Sequence, residues 1–388
     1  MVMKEVLFMF KRMLSVFLAI SLLVLSAVVP ASALGAEDIS SVSAVLIEPN
    51  SKKILFEKNA NEKRACASIT KVMTLLLIFE AIEEGAISFD DVVTTSEHAK
   101  SMGGSDIWLE VGEQMTVHEM IKATAVASAN DAAVALAEHL CGSESDFVSK
   151  MNERAKELGM KNTTFKNCNG LDEEGHITSA YDVALMSAEL IKHEKIFEYT
   201  KIWIDYLRDG ETQIVNTNKL LKTYTGITGL KTGTTGDAGS CISATAQRNS
   251  MSLVAVVLGA TTGTERFKDA ATLLDFGFAN FETIQLDAGS VEFPEVEVKD
   301  GMKKSVKVSC DENLTLVVKK GTKEKTEQEL KLKDSLDAPV KKGDKAGKLT
   351  FSLGDKKIAE FDVVTTQDVE KISFSSVFAQ LLNAVITL

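Results

Sequence analysis

The chain has 388 residues, 45% hydrophobic and 25% charged, with a formal net charge of −12. That length predicts two domains, and the composition excludes a disordered or fibrous chain. Acidic charge scattered along the sequence excludes a nucleic-acid binder and reads as a solvated surface.

The first 33 residues stand apart. Lys4, Lys11 and Arg12 precede an apolar run from Met13 to Val29, followed by Pro30 and Ala31-Ser32-Ala33. This is the layout of a secretory signal peptide cut after Ala33. A retained membrane anchor is the alternative, but the run is short for a span. The protein is therefore expected to be exported and to work outside the cytoplasm, at the outer face of the cell membrane.

From residue 37 to 283 strand-like and helix-like stretches mix. AVLIEPNSKKILFEK reads as a hairpin turning at Pro49-Asn50-Ser51. Helical periodicity follows in SITKVMTLLLIFEAIEEG, TVHEMIKATAVA, DAAVALAEHL, ESDFVSKMNERAKELG and SAYDVALMSAELIKH. Two strands, CISATAQ and SLVAVVLGA, and a helix, RFKDAATLLDFGFANF, close the segment. Strands at both ends with helices between predict one sheet built from both termini around a helical insert. From residue 284 to 368 period-two alternation with Gly-Asp turns predicts a small all-β domain without a catalytic constellation. Residues 369–388 place Phe374, Val377, Phe378, Leu381, Leu382, Val385 and Leu388 on one helical stripe. Such an amphipathic helix suits a membrane surface, although packing on its own domain or a partner is the alternative. The fold class expected is α+β: an antiparallel sheet flanked by helices, then the β domain and the terminal helix.

Chemistry enters at CASITK, residues 66–71. Ser68 and Lys71 stand three apart, on one helical face, at the front of an apolar run. Burial lowers a lysine pKa, and neutrality near pH 7 needs a shift of about 3 units, or about 4 kcal/mol. A second nearby cation would help. A neutral Lys71 amine would take the proton from Ser68, activating a nucleophile without histidine. Alone the pair also fits a helix start with a snorkelling lysine. Ser128 and Asn130, in ASAND, predict a turn between two helices, with Asn130 or Asp131 capping the second. Lys231-Thr232-Gly233 precedes a strand-turn-strand pattern. Lys231 would be the second cation, Thr232 a carboxylate ligand, and Gly233 a place for a peptide to approach the backbone.

Taken in order, S-x-x-K, S-x-N and K-T-G are similar to the active-site signatures of penicillin-binding proteins and serine β-lactamases. From about Ile39 onward the chain resembles the low-molecular-weight D-alanyl-D-alanine carboxypeptidases of that superfamily. SEHAKSMGGS is similar to sporulation-type enzymes of Gram-positive bacteria. The resemblance implies a β-lactamase/DD-peptidase-like catalytic domain that removes the terminal D-alanine of a peptidoglycan stem peptide and is inhibited by β-lactam antibiotics. Ser68 would be the acylated nucleophile, Lys71 its base, and Ser128 and Asn130 the proton shuttle and substrate guide. Lys231, Thr232, Gly233, Thr234 and Arg266 would bind substrate, with the Ser68 and Thr234 N–H groups as oxyanion hole. No metal or organic cofactor is implied: His118-Glu119 lacks the second histidine of a zinc motif, and no G-x-S-x-G elbow occurs. A β-lactamase or a non-catalytic wall-binding protein are the rival readings. The chain carries cysteine where the family commonly has proline, at Cys66 and Cys168. These two are expected either to form a disulfide bracing the cleft or to be small buried thiols. The five cysteines, with Cys141, Cys241 and Cys310, fit neither a zinc spacing nor a dense disulfide framework.

Overall fold

The computed structural model describes residues 34–322 and 326–378. The chain divides into two units after Asp38. Of the first, only residues 34–38 are described, with a 3-10 turn at Ala36–Asp38. The expected signal peptide lies outside the described residues.

The second unit begins with the expected hairpin, strands β1 (Ser43–Glu48) and β2 (Lys53–Lys58). The chain then leaves the sheet for helices α1 (Lys71–Glu83), α2 (Asn130–Cys141), α3 (Glu144–Glu157) and α4 (Ala180–Leu190). It returns as β3 (Ile227–Thr235), β4 (Gly239–Arg248) and β5 (Met251–Ala260), and helix α5 (Gly263–Asn280) follows. The sheet order is β2-β1-β5-β4-β3, antiparallel throughout. A strand from the N-terminal end thus pairs with one from the C-terminal end, around the helical insert.

The sheet is covered on both faces. Val45 and Ile47 of β1, with Val254, Val256 and Leu258 of β5, join the core formed by the helical insert. The alternate residues face α5, where a Cβ added to Gly277 would come within 2.5 Å of Leu253 and 2.9 Å of Leu46. Helix α1 is buried on every side from Lys71 to Phe79, as its unbroken apolar run requires.

Strand β3 departs from the expectation. K-T-G does not lead into a strand pair; it lies within the edge strand of the sheet. Gly229 and Gly233 interrupt the β-branched pattern that would have marked it. Nor does Asn130 or Asp131 cap α2. Ala129 occupies that position and caps nothing, because both polar side chains are engaged in the site.

After α5 the chain passes into a strand, Phe281–Asp287, that pairs with Asn313–Lys319. The change of texture read at residue 284 falls inside this strand. Two further sheets, of three and four strands, complete the all-β part around Val298, Val306, Leu349 and Val363. Residues 374–378 are helical with Phe374, Val377 and Phe378 exposed; Leu381, Leu382, Val385 and Leu388 of the expected stripe lie outside the described residues. Among the described residues no helix is long and apolar enough to cross a membrane.

Asp269 of α5 ties the helix to the lead-in of β1. Its buried carboxylate accepts from Ser41 N at 2.8 Å, Ser41 Oγ at 2.5 Å and Ser40 Oγ at 3.0 Å. Replacing it by alanine strands buried donors, so Asp269→Ala is expected to lower the unfolding free energy by about 2 kcal/mol in urea titration.

Candidate active site

The site is assembled on a tight turn. Cys66 leads into a 3-10 turn, Ala67–Thr70, and α1 starts at Lys71. Ala67 takes φ +51, a left-handed conformation that tips Ser68 away from a regular helix. Two glycines let the surroundings close on this turn. A Cβ on Gly170 would lie 2.0 Å from Ala67 O, and one on Gly233 would lie 2.9 Å from Ser68 N and Cys66 O. Gly233 thus serves the approach of the nucleophile turn to the sheet edge.

Lys71 is fully buried. Its Nζ lies 3.1 Å from Ser68 Oγ, 2.5 Å from Asn130 Oδ1 and 2.6 Å from Asn169 O. The Asn130 amide is oriented by its other end, since Nδ2 donates to Gly103 O at 2.6 Å. Asn130 Oδ1 and Asn169 O therefore only accept. A neutral amine has two N–H bonds and one lone pair. Two acceptors use both N–H bonds, and the lone pair is left facing the Ser68 hydroxyl. Burial, opposed by Cys168, Asp106 and Asp131, pulls the Lys71 pKa down to about 7. The neutral amine is accordingly well populated near neutrality.

Asn130 meets the pair from the start of α2, two residues after Ser128. Ser128 sits in a left-handed conformation, φ +64, closing a π-helical turn at Ala123–Ala127. The neighbouring loop is locked to Asn130 and Asp131: Asn130 N donates to Ser105 O at 2.6 Å, while Ile107 N and Leu109 N donate to Asp131 Oδ2 at 3.1 and 3.0 Å.

On strand β3, Lys231 is buried and donates to Thr232 O at 3.0 Å. Its pKa is pushed well below normal, first by burial, then by Lys71 and Arg266. The second lysine is at the site but does not lower Lys71 as expected: burial does that, and the repulsion between the two falls on Lys231. Thr232 Oγ1 lies 2.6 Å from Thr217 Oγ1. Arg266 reaches across from α5 and donates to Gly233 O at 2.9 Å and Thr234 Oγ1 at 2.8 Å. Its Nε is buried without a partner, a free donor beside the K-T-G strand.

The structure thus brings Ser68, Lys71 and Asn130 into direct contact, sets Gly233 of the Lys231–Thr234 strand against the nucleophile turn with Arg266 behind that strand, and places Ser128 two residues before Asn130. It does not join Cys66 to Cys168: all five cysteines are free. The expected bridge is replaced by two buried thiols, Cys66 contacting Thr70 Oγ1 at 3.4 Å.

Sequence reasoning missed Asn169, Thr217 and His176. The contact of Asn169 is through its backbone carbonyl, which no residue type announces. His176 is buried under the nucleophile turn. Its Nδ1 accepts from Lys166 N at 3.1 Å, which places the ring proton on Nε2. Nε2 then donates to Thr70 Oγ1 at 2.7 Å, and Thr70 Oγ1 donates to Ala67 O at 2.9 Å.

A hydroxyl facing a buried, neutral lysine amine, with amide and cationic groups around it, defines a serine acyl-transfer enzyme that uses lysine in place of histidine. Residues 30–262 match the Peptidase S11 family, D-alanyl-D-alanine carboxypeptidase, and residues 281–371 match the penicillin-binding protein 5 C-terminal domain. The chain belongs to the Peptidase S11 family of D-alanyl-D-alanine carboxypeptidases. It is 47% identical over 336 residues to the D-alanyl-D-alanine carboxypeptidase DacF of Bacillus subtilis, covering 86% of each chain. Its structure resembles penicillin-binding protein 5 from Haemophilus influenzae with a TM-score of 0.74 and 33% identity, over 86% of this chain and 98% of that one. It also resembles penicillin-binding protein D2 of Listeria monocytogenes in an ampicillin-bound form, TM-score 0.57 and 33% identity, over 62% of this chain and 98% of that one.

Burial lowers the His176 pKa from 6.5 to about 4. Between these values the unfolded chain binds the proton and the folded one does not, so stability falls as pH drops through that window. Urea titrations from pH 7 to 4 are expected to show the wild type losing about 3 kcal/mol more than His176→Phe.

Proposed function

We propose that this chain removes the terminal D-alanine from peptidoglycan stem pentapeptides through an acyl-enzyme on Ser68. The observation that carries the reading is the Lys71 amine, with both N–H bonds committed to acceptors and its lone pair 3.1 Å from Ser68 Oγ. Lys71 takes the hydroxyl proton as Ser68 Oγ bonds to the penultimate D-alanine carbonyl. The N–H groups of Ser68 and Thr234 hold the oxyanion. Ser128 passes that proton on to the departing D-alanine nitrogen, and Asn130 orients the peptide. The terminal carboxylate docks at Thr232 and Thr234, drawn by Lys231 and by Arg266, whose Nη1 lies 2.8 Å from Thr234 Oγ1. The free edge of β3 offers the peptide a strand to pair with. Water then attacks the ester carbonyl and releases the shortened peptide.

β-Lactams acylate the same hydroxyl in this reading, as the ampicillin-bound Listeria relative supports. The enzyme works outside the cytoplasm at the outer membrane face, held there by residues 372–388; exposed Phe374 and Phe378 support that contact. Cutting the chain after Lys371 is expected to abolish cosedimentation with lipid vesicles while D-alanine release continues; equal sedimentation of both forms would exclude the anchor.

Two measurements test the chemistry. D-Alanine release from a D-Ala-D-Ala stem peptide is expected to fall at least about 10³-fold in Ser68→Ala. Labelled penicillin is expected to leave a long-lived adduct on Ser68; rapid turnover would mark a β-lactamase, and no labelling a non-catalytic protein. The acylation rate is expected to rise with pH through about 7, as Lys71 loses its proton, and a rate flat from pH 5 to 9 would remove Lys71 as the base.

A further inference from the structure

His176 takes no part in the acyl-transfer steps, yet it touches the nucleophile turn. His176, Thr70 and Ala67 are all buried, so the contact is dry. The Thr70 hydroxyl has one proton to give and three neighbours that could take it. Cys66 Sγ lies 3.4 Å away and is a weak acceptor. His176 Nε2 lies at 2.7 Å but carries a proton of its own, because Lys166 N donates to Nδ1. Among the described residues that leaves Ala67 O, at 2.9 Å. The Lys166 amide thus sets the His176 tautomer, and the tautomer sets the direction of the Thr70 hydroxyl. The opposite tautomer would draw that proton away from Ala67 O. Ala67 O belongs to the same planar trans peptide as Ser68 N–H, and the two point in opposite directions. Fixing the carbonyl therefore aims the N–H. This peptide needs restraint, since Ala67 holds a costly left-handed conformation. Its surroundings are close: a Cβ on Gly170 would lie 2.0 Å from Ala67 O, and one on Gly233 would lie 2.9 Å from Ser68 N. Ser68 N thus lies against the strand that carries Thr234, the other N–H assigned to the oxyanion.

We propose that His176 and Thr70 are positioning residues for the oxyanion hole: they hold the 67–68 peptide plane so that Ser68 N–H points at the developing negative charge. Both are buried and act through the turn. Oxyanion stabilisation depends on where the donor points, so an N–H turned aside loses much of its worth. The proposal rests on the acyl-enzyme reading, and labelling of the wild type by penicillin tests that reading by itself.

The test is an infrared difference spectrum of the acyl-enzyme formed with a penicillin isotopically labelled at the β-lactam carbonyl carbon, with the acylation rate measured alongside. An ester carbonyl that receives both N–H bonds absorbs at lower wavenumber than one that has lost a bond. Thr70→Val keeps the shape and removes the hydroxyl. It is expected to lower the acylation rate about tenfold or more and to move the ester band to higher wavenumber. Thr70→Ser is expected to restore both. His176→Leu is expected to act in the same direction, and adding it to Thr70→Val to change little further, because it works through the same hydroxyl. The pH midpoint of acylation, set by Lys71, is expected to stay at about 7. An ester band that stays in place in Thr70→Val, a shifted pH midpoint, or additive effects of the two substitutions overturns the proposal. Where Thr70→Val does not fold, the band of His176→Leu decides alone, and an unmoved band overturns it. A wild type that forms no adduct sinks the acyl-enzyme reading, and the proposal with it.

Discussion

The reacting centre depends on one amine kept out of water. Lys71 is buried on the first turn of a core helix, and the structure gives its nitrogen two carbonyl-type acceptors and one hydroxyl. Acceptors alone would favour an ammonium ion. Burial works against it, and the balance falls at about 7. Moving the group into contact with solvent would restore the ordinary lysine value and close the lone pair. Deleting either acceptor would leave the nitrogen free to turn. The apolar helix and the polar cage are thus two halves of one device.

That device dictates the local backbone. For Ser68 to reach Lys71 and still face the sheet edge, the turn before it must leave helical geometry, and Ala67 does so. For Asn130 to reach Lys71 from another helix, the chain must reverse within two residues, and Ser128 supplies that reversal. Both conformations cost about 1–2 kcal/mol. They are held by contacts that leave little room to relax: Gly170 and Gly233 press on the turn, and the His176–Thr70 hydrogen bond directs the threonine hydroxyl onto the Ala67 carbonyl. The strain lies at the reacting residues, and its restraint comes from segments far away in sequence.

This separation explains what was legible in the sequence. The hairpin, the main helices, the closing strands and the β-rich tail follow from hydrophobic periodicity, and the structure has them. The Ser68–Lys71 pair stood out because a lysine is costly at the front of an apolar helix, and the other two motifs gained meaning only beside it. What stayed hidden acts through the backbone or through distance. Asn169 offers a carbonyl, which every residue has. His176 contacts Thr70 across 106 positions. Strand β3 carries the glycines that the close approach requires, and those glycines erase its strand signature. Function and the legibility of local structure are in conflict at those positions.

The two cysteines show how this chain holds the backbone beside the reacting centre without a covalent bridge. A proline ring would stiffen the backbone at positions 66 and 168 but donate nothing. Here Cys168 N donates to Glu144 Oε1 at 2.9 Å, a bond proline cannot make, while Cys168 O accepts from Thr74 Oγ1 at 2.5 Å. Both sides of that residue are therefore tied to helices, α3 on one side and α1 on the other. The next residue is Asn169, whose carbonyl holds Lys71. At Cys66, burial raises the thiol pKa to about 12, so it remains an S–H donor toward Thr70 Oγ1. That oxygen also accepts from His176 and donates to Ala67 O, which completes its hydrogen bonding. Rigidity around the nucleophile rests here on satisfied hydrogen bonds in place of rings, and neither position needs a covalent bridge to keep the Lys71 acceptors in place.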